Sequence, residues 1–262
     1  RMLVNALDPE EVRVAVLDDG ILQEFYIERA SRETLVGNIY KGRVVNVVSS
    51  LQAAFVDVGL GKNAFLHATE VVAPDGTAAA ELEPENGAGA DTARRWGDKA
   101  ERRAAPAIKE VLRPGQEILV QVTRDTVGEK GPSVSMDISI PGRYLVLTPA
   151  TRRWAVSKRI TDAAEREGLK AALAELEPPE DLGFIIRTAG TGQNRRDMKK
   201  DLEYLVRLWR AVASRGAEEK APAAIYQESD LVIRTIRDLF NPDVEEVLID
   251  SAPVYERTTE FV

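Results

Sequence analysis

The chain has 262 residues, 44% hydrophobic and 30% charged, with a formal net charge of −8. That allows a real core in one large domain or two to three small ones, and no apolar run approaches the roughly 18–20 residues of a membrane-crossing helix. No secretory pattern is read in the opening residues, and the lack of cysteine excludes disulfides and thiolate-held zinc within this stretch, so a cytoplasmic protein is the simplest expectation. Bulk acidity does not exclude a nucleic-acid partner, because phosphate contacts need only local positive potential. The run TRRWAVSKRI at 151–160 holds Arg152, Arg153, Lys158 and Arg159 and no acid. Residues 187–200 hold Arg187, Arg195, Arg196, Lys199 and Lys200 against Asp197 alone. Two solvated charged faces are the plainer account of both runs.

In chain order, Val12, Val14 and Val16 alternate with Arg13 and Ala15, the period of a half-buried strand. Asp18-Asp19-Gly20 supplies a tight turn, and 22–27 the return strand. Short strands are then expected over 40–48, 53–59, 63–67, 115–122 and 132–140, with glycines at the corners, a pattern that fits a small closed barrel of the OB type. An Ala-, Glu-, Pro- and Gly-rich stretch at about 72–107 reads as a mobile surface insertion holding Trp96. Beyond it the pattern turns mixed. A strand is expected over 144–147, a helix from Thr161 to about Leu176 ended by Pro178 and Pro179, and a strand over 184–188 entering the turn Ala189–Gly192. A long helix over about 195–215 buries Leu202, Leu205, Leu208, Trp209 and Val212. A shorter helix capped by Ser229 or Asp230 and a strand over 246–250 close the chain.

Phe55 and Phe65 fall on adjacent short strands beside glycine turns. An OB barrel holds single strands by stacking bases on aromatic rings in a cationic groove, and Lys41, Lys62, Arg124 and Lys130 are the candidate phosphate contacts. The alternative places both rings in the barrel core. Asp57 and Asp250 stand at strand ends without a partner at metal-ligand spacing, and His67, the lone histidine, reads as structural.

Three runs carry a resemblance: GNIYKGRV at 37–44, AAFVDVG at 53–59 and AFL at 64–66. They resemble the S1-type RNA-binding domain of the ribonuclease E/G family. The run GFIIRTAG at 183–190 resembles that family's 5′-phosphate sensor, and the opening RMLVNA also fits. Phe55 and Phe65 match the family's RNA-contacting aromatics and Lys130 a basic contact, while Arg124 stands where a lysine is usual. Arg187 and Thr188 match the residues that receive the terminal phosphate. A guanidinium binds two phosphate oxygens at once and a hydroxyl donates to a third. Gly190 permits close backbone approach, and Val146 matches a pocket wall under the first base. An ordinary surface arginine at a strand end is the alternative for Arg187.

The resemblance implies an α+β, multi-subdomain architecture. A ribonuclease H-like domain in two parts (1–35 and 217–262) would enclose an S1 barrel (36–140, with the insertion at 72–107) and a small α/β 5′-sensor subdomain (141–216). It implies the front portion of a single-strand-specific endoribonuclease of ribosomal RNA processing and messenger RNA decay, preferring 5′-monophosphorylated RNA. The family's catalytic aspartates with their Mg2+, and the cysteines that link subunits through Zn2+ in a homo-oligomer, would lie beyond Val262. No catalytic residue and no cofactor is therefore assigned within these residues. A non-catalytic single-stranded-RNA-binding adaptor is the alternative function.

Overall fold

The computed structural model describes residues 1–30, 34–72, 108–126, 128–240 and 243–261. The insertion read at 72–107, apart from Val72, lies outside the described residues, Trp96 included. In chain order the elements are β1 (Met2–Asn5), β2 (Glu11–Asp18), β3 (Ile21–Arg29), β4 (Ile39–Val48), β5 (Ala53–Asp57), β6 (Ala64–His67), α1 (Ile108–Val111), β7 (Glu117–Arg124) and β8 (Ser133–Ser135). They continue with β9 (Ile140–Pro141), β10 (Leu145–Thr148), β11 (Trp154–Val156), α2 (Ala163–Ala174), β12 (Gly183–Ile186), α3 (Arg195–Glu218), β13 (Ala223–Tyr226), α4 (Leu231–Leu239), β14 (Val247–Ile249) and α5 (Ala252–Phe261). Among the described residues, no helix is long and apolar enough to cross a membrane.

Three sheets organise these elements, each with its own core. The first has the order β14-β1-β2-β3. Asp19 and Gly20 both adopt positive φ in the expected β2–β3 turn. The chain's far end then adds β14 parallel to β1, Met2 opposite Val247. Met2, Val4 and Val14 pack against Leu231, Val232 and Ile236 of α4, with α5 beside them. The second sheet is a closed five-stranded barrel, β4-β5-β6-β8-β7, shut by antiparallel β4–β7 pairing. Ala54, Val56, Ala64, Leu66, Val120, Val122 and Val134 fill its interior. β13 lies outside the ring, antiparallel to β4. The third sheet, β11-β12-β10-β9, packs Leu145, Leu147, Phe184 and Ile186 against Met198, Leu202 and Leu205 of α3.

The expected fifth barrel strand at 132–140 is shorter than its sequence suggests. Pairing on β7 stops at Ser135, and Ile140–Pro141 joins β10 in the third sheet instead. Between them the buried Gln121 side chain replaces the ladder. Its Nε2 donates to Gly37 O and Ser139 O, and its Oε1 accepts from Ser139 N. The helix expected from Thr161 is capped by Asp162, whose carboxylate accepts from Glu165 N at 2.7 Å.

Candidate nucleic-acid interface

Alternation along β5 and β6 sends Ala54, Val56, Ala64 and Leu66 inward and leaves Phe55, Asp57, Phe65 and His67 on the outer face. Neither phenylalanine belongs to the barrel core, and both are half-buried. Antiparallel register sets Phe55 opposite Phe65, with ring centroids 6.0 Å apart and planes at 71°. The His67 ring lies 6.4 Å from that of Phe65 at 29°, while its Nδ1 caps the following turn at Thr69 N. His67 is thus both structural, as its sequence suggests, and a third ring in the same group.

The pairing continues sideways. Asn46 lies opposite Phe55, Phe65 opposite Ser133, and Ser133 opposite Arg124. Opposed residues in a sheet share a face, so one row across the barrel reads Asn46, Phe55, Phe65, Ser133, Arg124. The exposed Arg124 and Lys130 side chains have no hydrogen-bond or ion-pair partner among the described residues. Lys62, also exposed, donates to Gly128 O at 2.8 Å. A Cβ at position 131 would lie 2.1 Å from Asn63 O. Only glycine there lets the loop before β8 lie against the β5–β6 turn, bringing Lys62 and Lys130 to one end of the row.

Lys41 is not part of this group. It stands five residues along β4 from Asn46, its side chain only 15% exposed, and donates to Glu219 O at 2.7 Å while pairing with Glu117 at 3.3 Å. Hydrogen bonds from Lys41 and then Arg43 hold the Glu117 carboxyl below the usual range. Lys41 therefore ties β13 and the end of α3 to the barrel.

The second group lies where β12 ends. Arg187 N donates to Tyr144 O at 2.8 Å, and Thr188–Gly190 form a 3-10 turn. Gly190 is buried against Ile186 and the Tyr144 backbone. The Arg187 guanidinium, its side chain 21% exposed, donates from Nη1 to Gly142 O and from Nη2 to Asp238 Oδ1, both at 2.7 Å. Two anchors leave three of its five N–H donors. Thr188, exposed, lines a recess of about 470 Å³ with Arg143, Tyr144, Gln193, Asp238 and Phe240. Val146 does not line it: the side chain alternates away from core residues Leu145 and Leu147, in register with Ile185 and Pro141.

Sequence reasoning missed what holds this region together. Asp201 of α3 accepts from the backbone N–H groups of Arg143, Tyr144 and Leu145 at 2.9–3.0 Å. Arg237 of α4, 8% exposed, pairs with Glu228 (6% exposed) at 3.0 Å and Asp238 at 3.1 Å. Burial acts to raise the Asp238 carboxyl, but hydrogen bonds and charge from Arg237 and then Arg187 outweigh it and hold it below the usual range. Glu228 N in turn donates to Asn38 Oδ1 at the entrance to β4. A polar chain, ionic from Glu228 to Arg187, thus joins all three cores. Its one sequence signal is a charged Arg237 beside Ile236 on the packed side of a short helix.

No group of three or more His, Cys, Asp or Glu able to hold a metal occurs among the described residues. Asp57 accepts from Gly59 N, and Asp250 accepts from Ala6 N and Asn5, bonds that keep its carboxyl low. The Asp57 carboxylate thus braces its own turn, and the Asp250 carboxylate ties the end of β1 to the end of β14.

Comparison with known proteins gives two family matches, "S1 RNA binding domain" over residues 34–137 and "Ribonuclease E/G family" over residues 139–262. Ribonuclease G of Escherichia coli strain K12 is 40% identical over 260 residues, 99% of this chain and 49% of that protein. Ribonuclease E of the same strain is 37% identical over 263 residues, 100% of this chain and 23% of that protein. The chain therefore spans about half the length of ribonuclease G and a quarter of ribonuclease E. Residues 139–262 belong to the ribonuclease E/G family, with an S1 RNA-binding domain ahead of them and a relationship to ribonucleases G and E that runs the length of the chain.

Proposed function

We propose that this chain is the RNA-gripping, 5′-end-reading portion of a single-strand-specific endoribonuclease that acts in ribosomal RNA processing and messenger RNA decay. The observation that carries the gripping role is the outward Phe55–Phe65 pair in one row with Arg124. Bases stack on the rings, and Arg124, Lys62 and Lys130 meet the phosphates. The Arg187–Thr188 pair, with Gly190 bracing its turn, reads the end of the strand. Gly142 O and Asp238 orient the guanidinium, which keeps donors for a terminal phosphate, and the Thr188 hydroxyl opens on the adjoining recess. Val146 supports the first base from the sheet face next to Ile185.

In this reading the β14-β1-β2-β3 sheet with α4 and α5 is the ribonuclease H-like part, and the β11-β12-β10-β9 sheet with α2 and α3 is the sensor. Cleavage, its magnesium and the zinc-linked homo-oligomer belong to regions outside these residues in a cytoplasmic enzyme, so the chain alone binds RNA without cutting it.

The test is one short single-stranded RNA with a 5′-hydroxyl, 5′-monophosphate or 5′-triphosphate end. The protein should favour the monophosphate. Arg187→Ala should remove that preference, a loss of about 10- to 150-fold for a charged hydrogen-bonded contact of ~1.5–3 kcal/mol, with the hydroxyl-ended RNA unaffected. Equal losses for all three ends would remove the sensor assignment. Cleavage of the RNA with magnesium would overturn the division between binding and cutting.

A further inference from the structure

The basic run at 151–160 is not used by the reading above, and its placement is specific. β11 is an edge strand, with β12 on one side and no strand on the other among the described residues. Trp154 stands on it opposite Phe184. Phe184 is fully buried, but at the sheet's margin Trp154 stays 37% exposed, and its ring meets no other ring or cation among the described residues.

The turns on both sides of β11 are fixed from within. Before it, Thr151 N donates to Thr148 O at 3.2 Å and the two threonine hydroxyls bond at 2.7 Å. A Cβ at position 183 would stand 1.8 Å from Thr151 O and 2.9 Å from Arg153 O. The turn thus lies flush on β12 only because residue 183 is glycine, and Phe184 N seals it by donating to Arg153 O at 3.0 Å. After β11, Arg166 Nη1 donates to Ser157 O and Ile160 O at 2.8 and 2.9 Å. Arg152, Arg153, Lys158 and Arg159 are all exposed on these two turns, and none of their side chains has a hydrogen-bond or ion-pair partner among the described residues.

Charges on an edge strand ordinarily blunt it against unwanted pairing. That accounts for the arginines but not for an exposed tryptophan, which works in the opposite direction. An aromatic ring between free cations on a pre-set backbone has the parts of a single-strand contact: a stacking face with phosphate donors on either side. The backbone share of the ordering cost of such a surface is already met in the unbound protein. The local charge also suits a polyanion in a chain whose net charge is −8.

We propose that β11 and its two turns form a second contact surface for single-stranded RNA. Trp154 stacks on one base, and Arg152 and Arg153 meet the neighbouring phosphates. β11 stands three strand spacings, about 14 Å, from β9, the strand that leads out of the barrel. The surface therefore lengthens the footprint of RNA held on the barrel and engages strands too long for the barrel alone. It rests on RNA binding by the barrel but not on recognition of the 5′ end.

The test uses 5′-hydroxyl single-stranded RNAs of about 5 and about 16 nucleotides, near the limits of one OB-fold site. Trp154→Ala should weaken the longer RNA by about 5- to 150-fold and leave the shorter unchanged, while Trp154→Phe should retain most of the affinity. Arg152→Ala with Arg153→Ala should reduce the slope of log K against log salt by about 1.4 for the longer RNA, as expected for two lost single-strand phosphate contacts. Unchanged binding of both lengths would overturn the proposal and leave the surface for an acidic protein partner. Equal weakening of both lengths would also overturn it, since that marks general damage. Phe55→Ala in parallel separates the two readings: if it has no effect while Trp154→Ala does, the barrel assignment fails and the β11 surface stands.

Discussion

Replacing both outer rings, Phe55→Ala together with Phe65→Ala, should weaken single-stranded RNA binding more than any other pair of substitutions in the barrel. Each stacked base contributes about 1–3 kcal/mol, so each single variant should lose about 5- to 150-fold in affinity. The centroids are 6.0 Å apart, close enough that removing one ring changes the support of the other. The double variant should therefore fall short of the product of the single losses. Neither ring is part of the barrel core, so the thermal unfolding midpoint should move little. Binding should fall alike for hydroxyl- and monophosphate-ended RNA, because the loss is along the strand and not at its terminus. Titration by fluorescence anisotropy checks this, and unchanged affinity in the double variant would sink the platform.

The second large effect concerns stability. Arg237→Ala removes the cation from a nearly buried pair, leaving the Glu228 carboxylate, 6% exposed, without its ionic partner. An uncompensated buried charge costs about 3–5 kcal/mol. At roughly 2–4 °C per kcal/mol for a domain of this size, the unfolding midpoint should fall by about 6–20 °C. Arg237→Met with Glu228→Gln, which removes both charges and keeps much of the volume, should recover most of the loss. A midpoint within a degree or two of the parent for Arg237→Ala would show that the pair carries no such burden. Arg237→Ala also takes from Asp238 one of its two arginine partners. The preference for a monophosphate end should therefore weaken in this variant even at temperatures where it remains folded.

Local periodicity made part of this molecule readable. The β2–β3 hairpin follows from alternation and an Asp-Asp-Gly turn, and α3 from its stripe of Leu202, Leu205 and Val212. The direction of the two phenylalanines was also written locally, although their period alone was compatible with a core. Asp57 shares the face of Phe55 and His67 that of Phe65, two residues on in each strand, and a carboxylate is poorly suited to a barrel interior. What stayed hidden depends on distant pairings. Lys41 looks like its fellow cations until Glu117 arrives from β7 and the Glu219 carbonyl from the end of α3. The pairing of β13 with β4 and the bond from Glu228 to Asn38 join residues more than a hundred positions apart, and Arg187 meets Asp238 across about fifty, and no local period reports such contacts. The short β8 was hidden because a side chain, Gln121, took over hydrogen bonds that strands normally make.

The pairing of Met2 with Val247 has a consequence for biosynthesis. The hairpin of β2 and β3, with β1, leaves the ribosome early, but its covering helix α4 and its parallel neighbour β14 emerge some two hundred residues later. At about 5–20 residues per second, Met2, Val4 and Val14 wait on the order of ten to forty seconds without the helix they pack on. The barrel is complete well before then, the α3 layer only just ahead of α4, and during that interval the waiting strands are a natural client for chaperones that shield apolar surface.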